Sequence, residues 1–144
     1  MLPRWHFFFG AIFSIIIFLL VPNISLLYLT LIFLSSFLID FDHYAICFLK
    51  TKKWKLGDVF EYHRKQEINE KREIARGIKR KSDFHLFHTV EFHALVGLLG
   101  IFWTGFFYVF LGMMFHSLLD VFSLLYEGKL HRREYFLFNW AINN

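Results

Sequence analysis

A single cysteine, Cys47, leaves this chain of 144 residues without an intramolecular disulfide or a cysteine-rich metal site. In so apolar a setting a lone thiol reads as a small buried residue rather than a nucleophile. Basic residues are missing over two long stretches: no Lys or Arg lies between Trp5 and Leu49, or between Phe84 and Gly128. The first apolar run ends in Val21-Pro22-Asn23-Ile24, which offers no small-x-small cleavage site, so the run is read as a retained helix rather than a signal peptide. There is no internal repeat and no low-complexity linker, and 1–144 reads as one domain.

What is present is apolar bulk. Hydrophobic residues make up 56% of the chain and aromatics 22%, with 21 Phe, yet the formal charge is +4. That combination excludes an ordinary soluble domain and suits a small multi-pass membrane protein. Four helices are expected, over about 5–21, 24–49, 84–103 and 106–126, with turns at Pro22-Asn23 and Thr104-Gly105. Residues 50–81 differ in kind, with 12 Lys/Arg against 5 Asp/Glu. Glu61/Lys65 and Glu67/Lys71 are favourable i,i+4 pairs, so a solvated helix ending near Gly77 is expected there. Residues 135–142 are too short to span and read as an interfacial segment. The basic residues occur only at Arg4, in 50–81 and in 129–133. With four spans these regions share one side, which the positive-inside rule makes cytoplasmic, with both termini inside. The expected class is therefore an all-α integral-membrane four-helix bundle of the inner (plasma) membrane. Its basic loop would lie on anionic headgroups rather than nucleic acid.

Gly112 to Phe122 reads G-M-M-F-H-S-L-L-D-V-F, which sets His116 and Asp120 in an otherwise apolar helix, about 40° apart on one face. Ionisable groups inside a membrane are costly unless partnered, which makes the pair a candidate functional site. The topology supplies partners. His6 opens the first helix, Asp40, Asp42 and His43 fall toward the end of the second, and His85, His88, Glu91 and His93 occupy the first half of the third. All lie toward the cytoplasmic ends of their helices. Mixed imidazole and carboxylate is ligand chemistry for zinc, manganese or iron, with too much nitrogen for calcium or magnesium alone. There are enough candidates for one or two ions. His63 and His131 lie in polar segments and are expected at the surface.

Three motifs carry a resemblance. Asp40-Phe41-Asp42-His43, His88-Thr-Val-Glu-Phe-His93 and Gly112-Met-Met-Phe-His116-Ser-Leu-Leu-Asp120 are similar, in order and spacing, to the D-x-D-H, H-x4-H and G-x3-H-x3-D signatures of the membrane-bound metal-dependent hydrolases, the SOS-induced inner-membrane type among them. The resemblance implies that Asp40, Asp42, His43, His88, His93, His116 and Asp120 are metal-site positions, and His6 matches a histidine near the start of that family's first helix. Ile39 stands where a proline usually precedes the motif, and Thr89-Val90 replaces an Arg-Gly. The missing arginine would be a phosphate ligand, for which Lys79, Arg80 and Arg132 are the available substitutes.

The expected function is metal-dependent hydrolysis of a phosphoester, of a lipid or lipid-linked molecule in the cytoplasmic leaflet, with zinc ahead of manganese or iron. Asp42 or Glu91 would be the base, His85 an additional ligand, and a homo-oligomer is compatible. Two rival readings use the same residues: a non-catalytic metal-binding, assembly or transport component, and a di-iron or haem oxidoreductase. Against the last, the histidine-box clusters H-x3-H and H-x2-H-H are absent.

Overall fold

The apolar runs fold as helices, and the breaks between them fall where backbone groups find partners outside their own helix. The computed structural model describes residues 3–143, and these form helices with no strand: α1 Pro3–Leu20, α2 Leu26–Leu38, α3 Phe41–Thr51, α4 Leu56–Ala75, α5 Val90–Leu99, α6 Thr104–Tyr126 and α7 Leu137–Asn143. Short 3-10 turns occupy Leu86–His88 and Leu130–Arg132. Two segments, Leu26–Thr51 and Thr104–Tyr126, are long and apolar enough to cross a membrane. Helix α1 packs on α2, and α6 packs on α2 and α5 and touches α1.

Two of the expected helices need correction. The second is broken at Ile39-Asp40, where the Asp40 N–H bonds to the Phe37 carbonyl in a tighter turn, and α3 restarts at Phe41. The third is much shorter than 84–103. Its helix covers Val90–Leu99 alone, about 15 Å of rise, or half a hydrocarbon layer. Thr89 caps it, its Oγ1 accepting from the Phe92 N–H at 3.3 Å. The preceding Phe87 N–H is drawn away to Asp42 Oδ2 at 3.2 Å, so residues 85–88 are held outside the helix.

A glycine sets the closest helix approach. A Cβ at Gly112 would run into Ser35 Oγ and the Ile32 carbonyl, so only glycine lets α6 lie this close to α2. One turn further on, the same face of α6 carries His116 against the end of α2.

Polarity runs from inside to outside in an unusual order. The buried hydrophobic set is small, Ile32, Ile39, Cys47, Val59, Val96 and Met113, whereas His6, Ser36, Asp42, His85, His88, His93, His116, Asp120 and Arg132 are buried with it. Large apolar side chains cover the outside, including Phe7, Ile15, Leu19, Leu118 and Phe122.

The charged segment forms α4 as expected. Glu61–Lys65 and Glu67–Lys71 pair at 2.7 and 2.6 Å, and the chain turns at Gly77 with φ 72°. This helix is more than a solvated rod, because Arg132, 1% exposed, lies beneath it and pairs with Glu73, with Glu70 at 3.8 Å. Helix α7 overlaps the expected segment 135–142 and ends one residue beyond it, and the Trp140 ring stacks on Phe84 at 4.3 Å.

Candidate metal centre

The break after α2 matters first. Because the Asp40 N–H turns to Phe37, the Ser36 carbonyl is left for another donor, and His116 Nδ1 reaches it at 2.9 Å. A carbonyl can only accept, so Nδ1 carries the proton and the neutral ring presents an Nε2 lone pair. His88 is fixed in the same sense: its Nδ1 donates to Asp42 Oδ2 at 2.9 Å. The two Nε2 atoms face one another at 3.1 Å.

Two carboxylates complete the set. Asp40 Oδ1 lies 3.6 Å from His88 Nε2 and 3.4 Å from His116 Nε2. Asp120 Oδ2 lies 3.7 and 3.5 Å from the same atoms. These four atoms all fall within 4.8 Å of one another, and with both imidazoles protonated at Nδ1 all four are acceptors. Buried acceptors need a positive partner, and beside the Arg133 guanidinium on Asp120 a metal ion could supply it here. A tetrahedral ion with ligands at about 2.0–2.1 Å separates its ligands by roughly 3.3 Å; five of the six separations within the quartet run from 3.1 to 3.7 Å, and the two carboxylates lie within 4.8 Å of one another. Two carboxylates also balance one divalent charge. The donor set therefore fits a divalent ion, with Asp42 orienting His88 and the Ser36 carbonyl orienting His116 from behind.

Surrounding groups tie the centre to the rest of the fold. His6, fully buried, places Nε2 3.1 Å from Asp120 Oδ1 and stacks on His116 with ring centroids 3.8 Å apart. His43 lies at the rim, its side chain 28% exposed and its Nε2 3.5 Å from Asp40 Oδ1. Asp42, His43 and His88 form a second group within 4.8 Å that shares His88 with the first. His85 lies tilted against His43, with ring centroids 3.8 Å apart, and places Nδ1 3.5 Å from Asp42 Oδ1.

Other expected site residues are placed elsewhere. His93 donates from Nδ1 to the Thr89 carbonyl at 2.8 Å, and its Nε2 lies 3.0 Å from Ser117 Oγ, outside both groups. Glu91 anchors α7, its carboxylate accepting from the backbone N–H groups of Leu137 and Phe138 at 2.9 and 3.3 Å. His131 is exposed as expected, but His63 is half-buried and donates from Nε2 to the His43 carbonyl at 3.2 Å.

Of the possible substitutes for the missing phosphate arginine, Arg132 and Arg80 both pair with Glu73, the latter at 3.0 Å. The cation that reaches the centre is the next residue, Arg133, whose Nη1 lies 2.7 Å from Asp120 Oδ2. Its position in a run of basic residues carried no periodicity by which to choose it over its neighbour. Asp83, outside both spans, is held by Lys50 Nζ and Tyr62 Oη at 2.5 and 2.6 Å. Burial pushes the Asp83 carboxyl up, but these two donors outweigh it and leave the pKa below its ordinary value.

The class these observations define is an all-helical chain with two helices fit to span a membrane and a buried His/Asp cluster able to hold a metal ion. No protein-family model, curated protein or solved structure matches the chain.

Proposed function

We propose that this chain is an integral-membrane, metal-dependent hydrolase that cleaves a phosphoester of a lipid or lipid-linked molecule at the cytoplasmic leaflet. The observation that carries the reading is the quartet of Asp40, His88, His116 and Asp120, one possible ligand atom from each lying within 4.8 Å of the others and drawn from three parts of the chain. The arrangement of polarity, ionisable inside and apolar outside, supports a lipid environment with α1, α2, α5 and α6 as the membrane-embedded helices. The three motifs that resemble the hydrolase family supply the quartet and Asp42.

A divalent cation held there supplies Lewis acidity, polarising a phosphoryl oxygen and acidifying water. The protein's own groups do the rest. Asp42 and the Ser36 carbonyl fix the two imidazoles in the tautomer that turns Nε2 inward. The Arg133 guanidinium beside Asp120 is the cation that reaches the quartet, placed to contact an anionic phosphoryl group. His43, at the exposed rim beside Asp40, is the imidazole with access to solvent and receives the proton from the attacking water. Asp42, in contact with His88 and the Phe87 N–H, acts as an orienting group rather than the base.

The test is inorganic phosphate release from phosphatidic acid in mixed micelles by chelator-stripped protein, with and without added zinc or manganese. Metal-dependent release that is lost in Asp120→Ala supports the reading. No release with either metal, from protein shown to bind it, would overturn it.

A further inference from the structure

Beside the cluster lies a groove of about 350 Å³ whose walls come from α2, the segment before α5, α5 itself and α6. Leu31, Leu34 and Leu38 form one side, Phe87 and Phe92 another, and Met113 part of the base. Ile39 and Met113, at 5% and 4% exposure, close the floor, whereas Leu34 and Leu38 are exposed at the mouth. Ser35 brings the one hydroxyl to the lining, and it donates within its own helix to the Leu31 and Ile32 carbonyls at 2.7 and 3.1 Å. The groove therefore offers no free donor to a polar ligand, and its size is that of a small ligand site.

Its position relative to the quartet is what gives it a role. Ile39 precedes Asp40, Phe87 precedes His88, and Met113 stands one turn before His116 on α6. The Met113 carbonyl lies 3.4 Å from His93 Nε2. Three lining residues of the groove are thus one residue or one turn from quartet residues in the chain. The sides of the groove belong largely to Leu26–Thr51 and Thr104–Tyr126, the two segments fit to cross a membrane.

We infer that the groove binds one hydrocarbon chain of a phosphate-bearing membrane lipid, whose phosphate lies at the cluster beside Arg133. The inference rests on the metal-centre reading for the headgroup and on the groove alone for the chain. Charge and polarity divide accordingly: the lining is hydrocarbon apart from Ser35, whereas the candidate metal ligands Asp40, His88 and His116 follow Ile39, Phe87 and Met113 in the chain. A lipid bound this way presents its phosphoester to the centre without leaving the bilayer.

The experiment uses the full chain in vesicles of phosphatidylcholine doped with a phosphatidic acid that carries a diazirine within one acyl chain. After photolysis, labelled residues are mapped by mass spectrometry, and the bound metal is measured on the same samples. Expected is labelling confined to the groove walls, competed by unlabelled long-chain phosphatidic acid and not by inorganic phosphate. It should be lost in Leu34→Trp and Val109→Trp, which fill the groove, and kept in Leu95→Trp on the outer side of α5. Labelling spread over the outer faces of α1 and α6, or undiminished in both filled variants, would overturn the groove while leaving the metal centre intact. Competed groove labelling in protein that binds no metal would uphold the groove and remove the hydrolase reading. A filled variant counts only where its metal content equals that of wild type, which shows that the bundle still assembles.

Discussion

Asp42→Asn separates an orienting carboxylate from a metal ligand. Asp42 is 5% exposed, and its Oδ2 accepts from His88 Nδ1 at 2.9 Å and from the Phe87 N–H at 3.2 Å. Asparagine keeps the shape and can keep both bonds through its carbonyl oxygen. It loses the charge that strengthens them and that raises the basicity of His88 Nε2. If Asp42 acts from behind His88, zinc affinity falls by about 10- to 100-fold, the usual range for an outer-shell partner. That corresponds to about 1.4–2.8 kcal/mol. The assay is competition for zinc against a chromophoric chelator at fixed pH, with helix content matched by circular dichroism. His88→Ala and wild type set the two ends of the scale. A loss as large as that of His88→Ala would show that Asp42 is itself a ligand, and an unchanged affinity would show that packing alone holds the His88 ring. Either result refutes the proposed arrangement.

Three further outcomes follow from separate parts of the fold. Gly112→Ala drives a Cβ into the Ile32 carbonyl and is expected to cost about 1–3 kcal/mol by overpacking; because His116 lies one turn on, metal affinity falls with the thermal midpoint, and an unchanged midpoint would contradict the close approach. Asp83 has a folded pKa below its ordinary value, so its contribution is present above the ordinary carboxylate range and is lost as the pH falls through that range toward the folded value. Amide-exchange protection of α4 should therefore weaken on acidification in wild type, with a smaller response in Asp83→Asn. Arg132→Ala leaves Glu70 and Glu73 facing a vacated buried site, so α4 should loosen and become readily cut by trypsin at its lysines and arginines, whereas equal protection would show that α4 is held by other contacts.

Much of the centre was legible because helical spacing carries it. Gly112, His116 and Asp120 are each four residues apart, so a glycine approach, a ligand and a second ligand share one face of α6. The acids after Ile39 were equally visible, and so was the clustering of histidines toward one end of the bundle. Hydropathy does not record where a helix yields to a tertiary bond. The turn at Asp40 frees the Ser36 carbonyl for His116, and Asp42 draws the Phe87 N–H away from α5, so both breaks are consequences of the site. The apolar run over 84–103 looked continuous because Phe, Leu and Val suit a helix or an extended wall equally. Glu91 lies within, and His93 closes, the H-x4-H motif that marks them as site candidates, yet the start of α5 turns one toward α7 and the other toward Ser117. Arg133 lay one residue from a candidate. Which of two adjacent arginines meets the centre is decided by the 3-10 turn at Leu130–Arg132, a feature without sequence periodicity.

The most direct test of the central claim is the metal content of the detergent-purified protein beside a His116→Ala/Asp120→Ala variant of matched helicity. The account predicts at least one equivalent of zinc, manganese or iron in the wild type and its loss in the variant. Metal absent from both after reconstitution, or retained in the variant, would contradict it.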